Sequence, residues 1–92
     1  MAKIKISESE TESGWKFQVT VSNGNSTIHN VNLTTDYYEH LSIPNVKPDK
    51  LVEASFKFLL EREPKEMILR NFDLQIISRY FPKYETRISE YV

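Results

Sequence analysis

The segment Trp15–Val21 (WKFQVTV) carries an apolar side chain at every second position and a polar one between, and this pattern restricts the fold more than any other part of the chain. Alternation with period two is typical of a β-strand with one face buried. Two shorter segments, Ile4–Ile6 and Val31–Leu33, repeat the pattern on either side. We therefore predict a three-stranded antiparallel meander in residues 1–35, with the polar segment Ser7–Gly14 as a solvated loop between its first two strands.

The connection at Asn23–Asn25 (NGN) sets the register of the second hairpin. A two-residue Asn-Gly turn would send Val31 to the face opposite Phe17, whereas a three-residue connection places Val31 directly beside Phe17. Because a slip of one residue moves a whole strand to the other face, burial should decide the register. We predict the three-residue connection, with Asn25 in the left-handed region.

The opposite face of this sheet is polar apart from Ile28, so helices are expected to cover one face only. The strongest helical pattern runs from Pro48 to about Glu63, where apolar residues occupy roughly two-thirds of the helix circumference. A short helix is predicted over residues 34–41, where Asp36 and Glu39 have capping-box spacing. Two more are predicted over 65–71 and, with Asp73 as N-cap, over 74–81.

The chain is therefore predicted to be one α+β domain over residues 1–92, in which a three-stranded antiparallel meander packs one face against three to four helices. Its parts are the meander in 1–35, a helical part in 36–82 and a C-terminal tail in 83–92. The tail alternates only loosely, and a fourth strand, a docked tail and a frayed end are all compatible with its sequence.

Composition excludes several kinds of chemistry. The 92 residues include no cysteine and only two glycines, so neither a thiolate nor a glycine-rich phosphate loop is available. His29 falls on the inner face, where a hydrogen-bonded core histidine is expected, and His40 ends a short helix. Asp36 and His40 have helical i, i+4 spacing but lack a further ligand set. We predict no enzyme activity, no cofactor, no metal and no small-molecule ligand.

No segment is apolar enough to span a bilayer, and the first residues lack the apolar run of a signal peptide. The sequence therefore predicts a cytoplasmic protein that does not bind membranes. A formal net charge of −1 argues against a strong field for anionic partners.

Protein–protein interaction is the leading functional hypothesis, with either an unknown protein or a second copy as partner. A meander has two sheet edges whose backbone groups can pair with another chain, and the third strand carries no lysine to guard its edge. Aromatic side chains are enriched at contact centres. The expected surface comprises Ile28, Tyr37, Tyr38 and Ile43, although the two tyrosines and Ile43 are equally suited to closing the core.

Single-stranded nucleic-acid binding is the alternative hypothesis. Cations alternate with aromatic residues near the C-terminus, and stacking beside phosphate-binding cations is typical of single-strand recognition. The predicted contacts are Arg70, Arg79, Lys83 and Arg87, interleaved with Tyr80, Phe81 and Tyr84. The negative net charge and the lack of a recognisable nucleic-acid motif weigh against it.

Four segments between Leu33 and Tyr84 carry a resemblance to known proteins: Asp36–Glu39 (DYYE), Ala54–Pro64 (ASFKFLLEREP), Phe72–Leu74 (FDL) and Ile77–Pro82 (ISRYFP). Together they resemble a family of small uncharacterised prokaryotic proteins. The resemblance implies a bacterial or archaeal cytoplasmic origin, and it brings no activity, cofactor or binding residue to this chain.

Overall fold

Three long strands form the predicted meander, and a fourth, short strand joins it. The computed structural model describes residues 2–92, in which β1 (Lys3–Thr11), β2 (Gly14–Asn23) and β3 (Asn25–Thr34) are antiparallel neighbours. β4 (Asn71–Asp73) pairs with β3 in parallel, so the sheet order is β1-β2-β3-β4. The predicted meander is confirmed, whereas the prediction of an all-antiparallel, three-stranded sheet is wrong.

β4 arises where the sequence predicted a helix over 65–71. Only one 3₁₀ turn forms there, Lys65–Met67, and the chain then becomes extended. Extension lets the backbone N–H of Asn30 donate to the C=O of Arg70 at 2.7 Å and places Phe72 opposite Val31. In this position the Phe72 side chain lies on the helix-covered face of the sheet and is buried. Pairing also covers the middle of the β3 edge, so the edge of the sheet on this side is β4.

The second hairpin has the predicted register, with Phe17 opposite Val31. The left-handed residue, however, is Gly24 (φ +82°) and not Asn25. Glycine adopts positive φ without the steric cost of a Cβ atom, and the space around Gly24 is open. Burial therefore determined the register, while backbone sterics determined which turn residue takes the unusual conformation.

The predicted loop Ser7–Gly14 is wrong for most of its length, because β1 continues to Thr11 and pairs with β2 along all nine residues. Backbone pairing with β2 is sufficient to hold this polar half as a strand. The turn back requires Gly14, since a Cβ atom there would lie 2.1 Å from the C=O of Leu33.

The helices lie on one face of the sheet, as predicted. α1 (Thr35–Leu41) is capped by Thr34, whose Oγ1 accepts from the N–H of Tyr37 at 3.1 Å. α2 (Pro48–Leu60) begins with proline in the first turn and is buried on most of its circumference. α3 (Ile77–Tyr80) extends a 3₁₀ turn over Leu74–Ile76, and α4 (Tyr84–Arg87) precedes another over Ile88–Glu90.

α2 is the central helix of the core. On one side Phe56 packs against His29 of β3 and Phe72 of β4, with ring centroids 5.4 and 6.1 Å apart. On the other side Phe58 packs against Tyr84, with centroids 5.3 Å apart. The last ten residues adopt the docked form among the three alternatives, because Tyr84 is fully buried and bonds Ser55 at 2.6 Å.

The uncovered face of the sheet is mostly exposed and polar, as the sequence predicted. Its largest exposed apolar side chain is Ile28, at 48%. Amide side chains link β3 to β4 across this face: Asn30 Nδ2 donates to Asn71 Oδ1 at 3.3 Å, and Asn32 Nδ2 donates to Asp73 Oδ1 at 3.2 Å.

Candidate functional site

An apolar cleft of about 360 Å³ lies beside β4, between the end of α2 and α3. A second depression of about 420 Å³ adjoins it and shares several of its walls. Clefts of this size with mainly apolar walls are typical of binding sites. The first is lined by Leu59, Glu63, Met67, Ile68, Leu69, Phe72, Ile76, Ile77, Tyr80 and Phe81.

Three large apolar side chains at this cleft are exposed to solvent. Met67, Leu69 and Tyr80 are 68%, 46% and 65% exposed. Single exposed apolar residues need no explanation, but a cluster of them around a cleft is typical of an interaction surface. We call Met67, Leu69, Phe72, Ile76 and Tyr80, together with the edge of β4, the edge cleft.

The local sequence explains why these side chains point outwards. The turn Lys65–Met67 buries Lys65, whose Nζ lies 2.7 Å from Glu66 Oε2, and the next residue, Ile68, is buried in the core. The hydrogen bond from Lys65 lowers the pKa of Glu66. With Lys65 and Ile68 directed into the protein, the two residues between them, Glu66 and Met67, are left on the surface.

His29 fixes the chain just before β4. Its Nδ1 lies 2.8 Å from the C=O of Leu69 and its Nε2 lies 2.8 Å from Thr27 Oγ1. In the neutral tautomer with the proton on Nδ1, that nitrogen donates to Leu69 and Nε2 accepts from the threonine hydroxyl. Burial lowers the pKa of His29, which favours this neutral form. The prediction of a hydrogen-bonded core histidine is confirmed.

The outer side of β4 presents unpaired backbone groups. Since Asn30 donates to the C=O of Arg70, the alternation of a parallel ladder turns the N–H and C=O of Asn71 away from β3. The same alternation turns the N–H of Asp73 outwards, while its C=O begins the 3₁₀ turn Leu74–Ile76. An extended chain laid beside β4 would therefore meet backbone donors and acceptors next to the apolar side chains.

Charged side chains surround the edge cleft with balanced signs. Arg70 and Arg79 are exposed, and neither forms a salt bridge with any residue in 2–92. Glu63 lies at the wall of the cleft, where partial burial raises the pKa of its carboxyl, and Asp73 lies in β4. The site is therefore polar at its rim and apolar within.

The predicted tyrosine surface lies elsewhere and is mostly covered. Tyr37 is buried and its hydroxyl donates to Glu85 Oε2 at 2.8 Å; burial and this hydrogen bond raise its pKa. Tyr38 is half-buried, packs against Trp15 and donates to the C=O of Val46. Ile43 also packs against the core. Among the predicted surface residues, Ile28 is the most exposed and lies on the open face of the sheet.

The four cations of the nucleic-acid hypothesis lie on different elements. Arg79 lines the second depression and Arg70 directly precedes β4. Lys83 precedes α4 and Arg87 ends it, 3.2 Å from Glu90. The aromatic residues between them serve mainly the core: Tyr84 is fully buried, and Phe81 packs against Phe58 with centroids 5.9 Å apart. Tyr80 is the exposed member of the three.

His40 lies on the surface of α1, where its Nε2 is 3.4 Å from Glu85 Oε1 and its ring stacks on Tyr37. Asp36 and Glu39 are exposed on the same helix. Within residues 2–92 no group of three histidine, cysteine, aspartate or glutamate side chains is arranged to hold a metal ion.

Met67, Leu69, Phe72 and Ile76 are the site residues that the sequence did not identify, and Tyr80 was named only within the nucleic-acid hypothesis. The run Met67-Ile68-Leu69 after Pro64 was the available signal, because three adjacent apolar residues outside a long helix cannot all face a core. It could not show which of the three would be exposed.

No helix in the part of the chain that the structure describes has the length and apolar character needed to cross a bilayer. Comparison with protein-family models, with curated proteins and with solved structures gives no match. The resemblance to a prokaryotic family therefore stays a prediction.

Proposed function

We propose that the protein is a non-catalytic interaction module that binds an extended partner segment along β4, with apolar side chains of that segment in the edge cleft. One observation carries the proposal: the outward backbone groups of Asn71 and Asp73 and the exposed cluster of Met67, Leu69 and Tyr80 lie at the same place. Addition of a strand to a sheet edge combines main-chain hydrogen bonds with pockets for alternate side chains.

The two kinds of contact have different roles. Each main-chain hydrogen bond contributes only about 1 kcal/mol net, and β4 is three residues long. Burial of a large exposed apolar side chain contributes about 1.5 kcal/mol or more. Most of the affinity should therefore come from Leu69, Met67 and Tyr80, while the strand edge fixes the direction of the bound segment.

The nucleic-acid alternative has weaker support. Stacking needs exposed rings beside cations, and two of the three interleaved aromatic residues contribute to the core. We therefore favour a protein partner and propose no catalytic activity. The absence of cysteine from the sequence also supports a cytoplasmic location as part of this proposal.

Selection of random peptides displayed on phage against the wild-type protein tests the proposal. Selected peptides should bind Leu69→Glu at least tenfold more weakly, because the carboxylate would be desolvated in the edge cleft. Ile28→Glu is the matched control, since it also replaces an exposed apolar residue by glutamate but on the open face of the sheet.

Amide chemical shifts in the wild-type protein, measured during titration with a selected peptide, should change most at Asn71 and Asp73. The proposal fails if no peptide is enriched. It also fails if Leu69→Glu binds as well as the wild type, or if Ile28→Glu loses binding to the same extent.

A further inference from the structure

We infer that the segment bound at the edge cleft belongs to a second copy of this chain, whose β4 pairs antiparallel with β4 of the first. The inference rests on the proposed function, since it names the partner for the same surface. The two sheets would join into one continuous sheet with β4 and its symmetry mate at the centre.

The backbone of β4 is suited to pairing with itself. A two-fold axis midway between the two Phe72 residues places Asn71 opposite Asp73 of the second copy. Asn71 turns its N–H and C=O outwards and Asp73 turns its N–H outwards, while the C=O of Asp73 begins the 3₁₀ turn Leu74–Ile76. In each such pair the N–H of Asp73 donates to the C=O of Asn71, and symmetry produces this hydrogen bond twice. A two-fold axis perpendicular to the sheet also keeps the helices of both copies on one side.

The side chains of β4 are complementary in the same register. The Oδ1 atom of Asn71 accepts from Asn30, which leaves its Nδ2 group as a free donor on the open face. The Oδ1 atom of Asp73 accepts from Asn32, which leaves its second carboxylate oxygen as an acceptor. Donor and acceptor therefore face each other across the axis.

The surroundings of β4 also fit a second copy. Arg79, Glu63 and Asp73 line the two depressions, and Arg70 directly precedes β4. This region of each copy therefore has two cations and two carboxylates, so two copies would meet without net repulsion. Because the helices lie on one side, the exposed apolar cluster of each copy would face that of the other. A self-complementary patch of this kind is what a two-fold interface requires.

Sedimentation equilibrium of the full chain tests the inference with a charge exchange. The wild-type protein should dimerise. Asn71→Asp places two carboxylates opposite each other at both symmetric positions. If each position weakens binding about tenfold, the dissociation constant should rise about a hundredfold in total. Asp73→Asn is the matched comparison without added charge. Its Oδ1 atom still accepts from Asn32, so its Nδ2 group faces the Nδ2 group of Asn71, which removes a hydrogen bond at each position without charge repulsion. Its dissociation constant should therefore rise less than that of Asn71→Asp.

The double variant N71D/D73N should restore dimerisation to near the wild-type level, because it only exchanges donor and acceptor across the axis. Every substitution keeps an acceptor Oδ1 atom for Asn30 or Asn32, so a loss caused by altered folding would not be reversed by the second change. Circular dichroism of each variant checks this directly.

The inference is overturned if the wild type stays monomeric at millimolar concentration, if Asn71→Asp dimerises normally, or if the double variant remains monomeric. These results are separable from a failure of the proposed function. A monomer that still binds selected peptides at Leu69 keeps the interaction module and loses only the second copy as its partner.

Discussion

β1 and β4 are the two edge strands of the same sheet, but their surroundings differ. The side chains of β1 oppose pairing with another sheet, whereas the side chains beside β4 favour binding. β1 is nine residues long and carries Glu8 and Glu10 on the face that also bears the helices, where both remain exposed. Charges that point inwards at a sheet edge block pairing with another sheet, because pairing would desolvate them. β4 is three residues long, and exposed Met67, Leu69 and Tyr80 lie beside it.

The comparison shows that length and unpaired backbone groups do not by themselves make an edge a binding surface. The longer edge offers more hydrogen bonds, yet its carboxylates and lysines oppose association. The shorter edge offers few hydrogen bonds but adjoins apolar surface whose burial supplies free energy. Side chains next to an edge strand therefore decide its role. We call β1, whose charges oppose pairing, the guarded edge, and β4, which adjoins apolar surface, the binding edge.

The largest expected effect concerns how each edge is anchored. Phe72→Ala should lower the free energy of unfolding by about 3 kcal/mol, because the ring is buried against Phe56 and its loss leaves a cavity. Glu10→Ala, on the same face of β1, should change it by no more than about 0.5 kcal/mol. Urea denaturation measures both, and similar losses for the two variants would remove the distinction.

The second prediction would turn the guarded edge into a binding edge. Replacing Glu8 and Glu10 together by valine lets Ile4 and Ile6 pair with valines in an antiparallel β1–β1 dimer. Four such cross-strand pairs should strengthen association by about 2 kcal/mol, at 0.2–1 kcal/mol each. Light scattering over a range of concentrations measures this, with Lys3→Ala as control. Unchanged association would show that the glutamates do not guard β1.

The third prediction concerns pH and the attachment of β4 through His29. Since burial lowers the pKa of His29 below its ordinary value of 6.5, the unfolded chain binds a proton at a higher pH than the folded chain. The free energy of unfolding should therefore fall as the pH drops below 6.5, by at most about 1.4 kcal/mol per pH unit, until the pH passes the folded pKa.

His29→Leu should lose this part of the pH dependence, whereas His40→Ala, which alters an exposed histidine, should keep it. Thermal or urea unfolding at a series of pH values gives the comparison. Identical pH profiles for the wild type and His29→Leu would contradict the assignment.

The smallest expected effect is on the amide contacts between β3 and β4. Asn32→Ala removes the hydrogen bond to Asp73 on the exposed face and should cost about 0.5 kcal/mol. Gln18→Ala, on the same face of β2, has no such contact to lose and should be neutral. A cost above about 2 kcal/mol would mean that the amides, and not Phe72, hold β4 in place.

The contrast between the edges also explains what the sequence could predict. The register of β2 and β3 followed from alternating apolar residues, because only one register buries Phe17, Val19, Val31 and Leu33 together. The polar half of β1 contains no apolar residue, so nothing in its pattern distinguished a strand from a loop. β4 has a single apolar residue, Phe72, which is too few to define a period.

The candidate site could not be predicted from the sequence because it also lacks a local apolar period. Its apolar residues come from the end of α2, a single 3₁₀ turn, β4 and α3, and no local period connects them. Tyr37 and Tyr38 were conspicuous in sequence, but the contacts of α1 with Glu85 and Trp15 cover much of their surface. Whether an aromatic residue closes the core or binds a partner depends on tertiary packing.

The most direct test of the central claim is amide hydrogen exchange, measured by NMR at several protein concentrations. If β4 is the binding edge and a second copy its partner, exchange at Asn71 and Asp73 should slow as the concentration rises, while the outward amides of β1 keep the same rates. Protection that appears along β1, or rates at Asn71 and Asp73 that do not depend on concentration, would contradict the account.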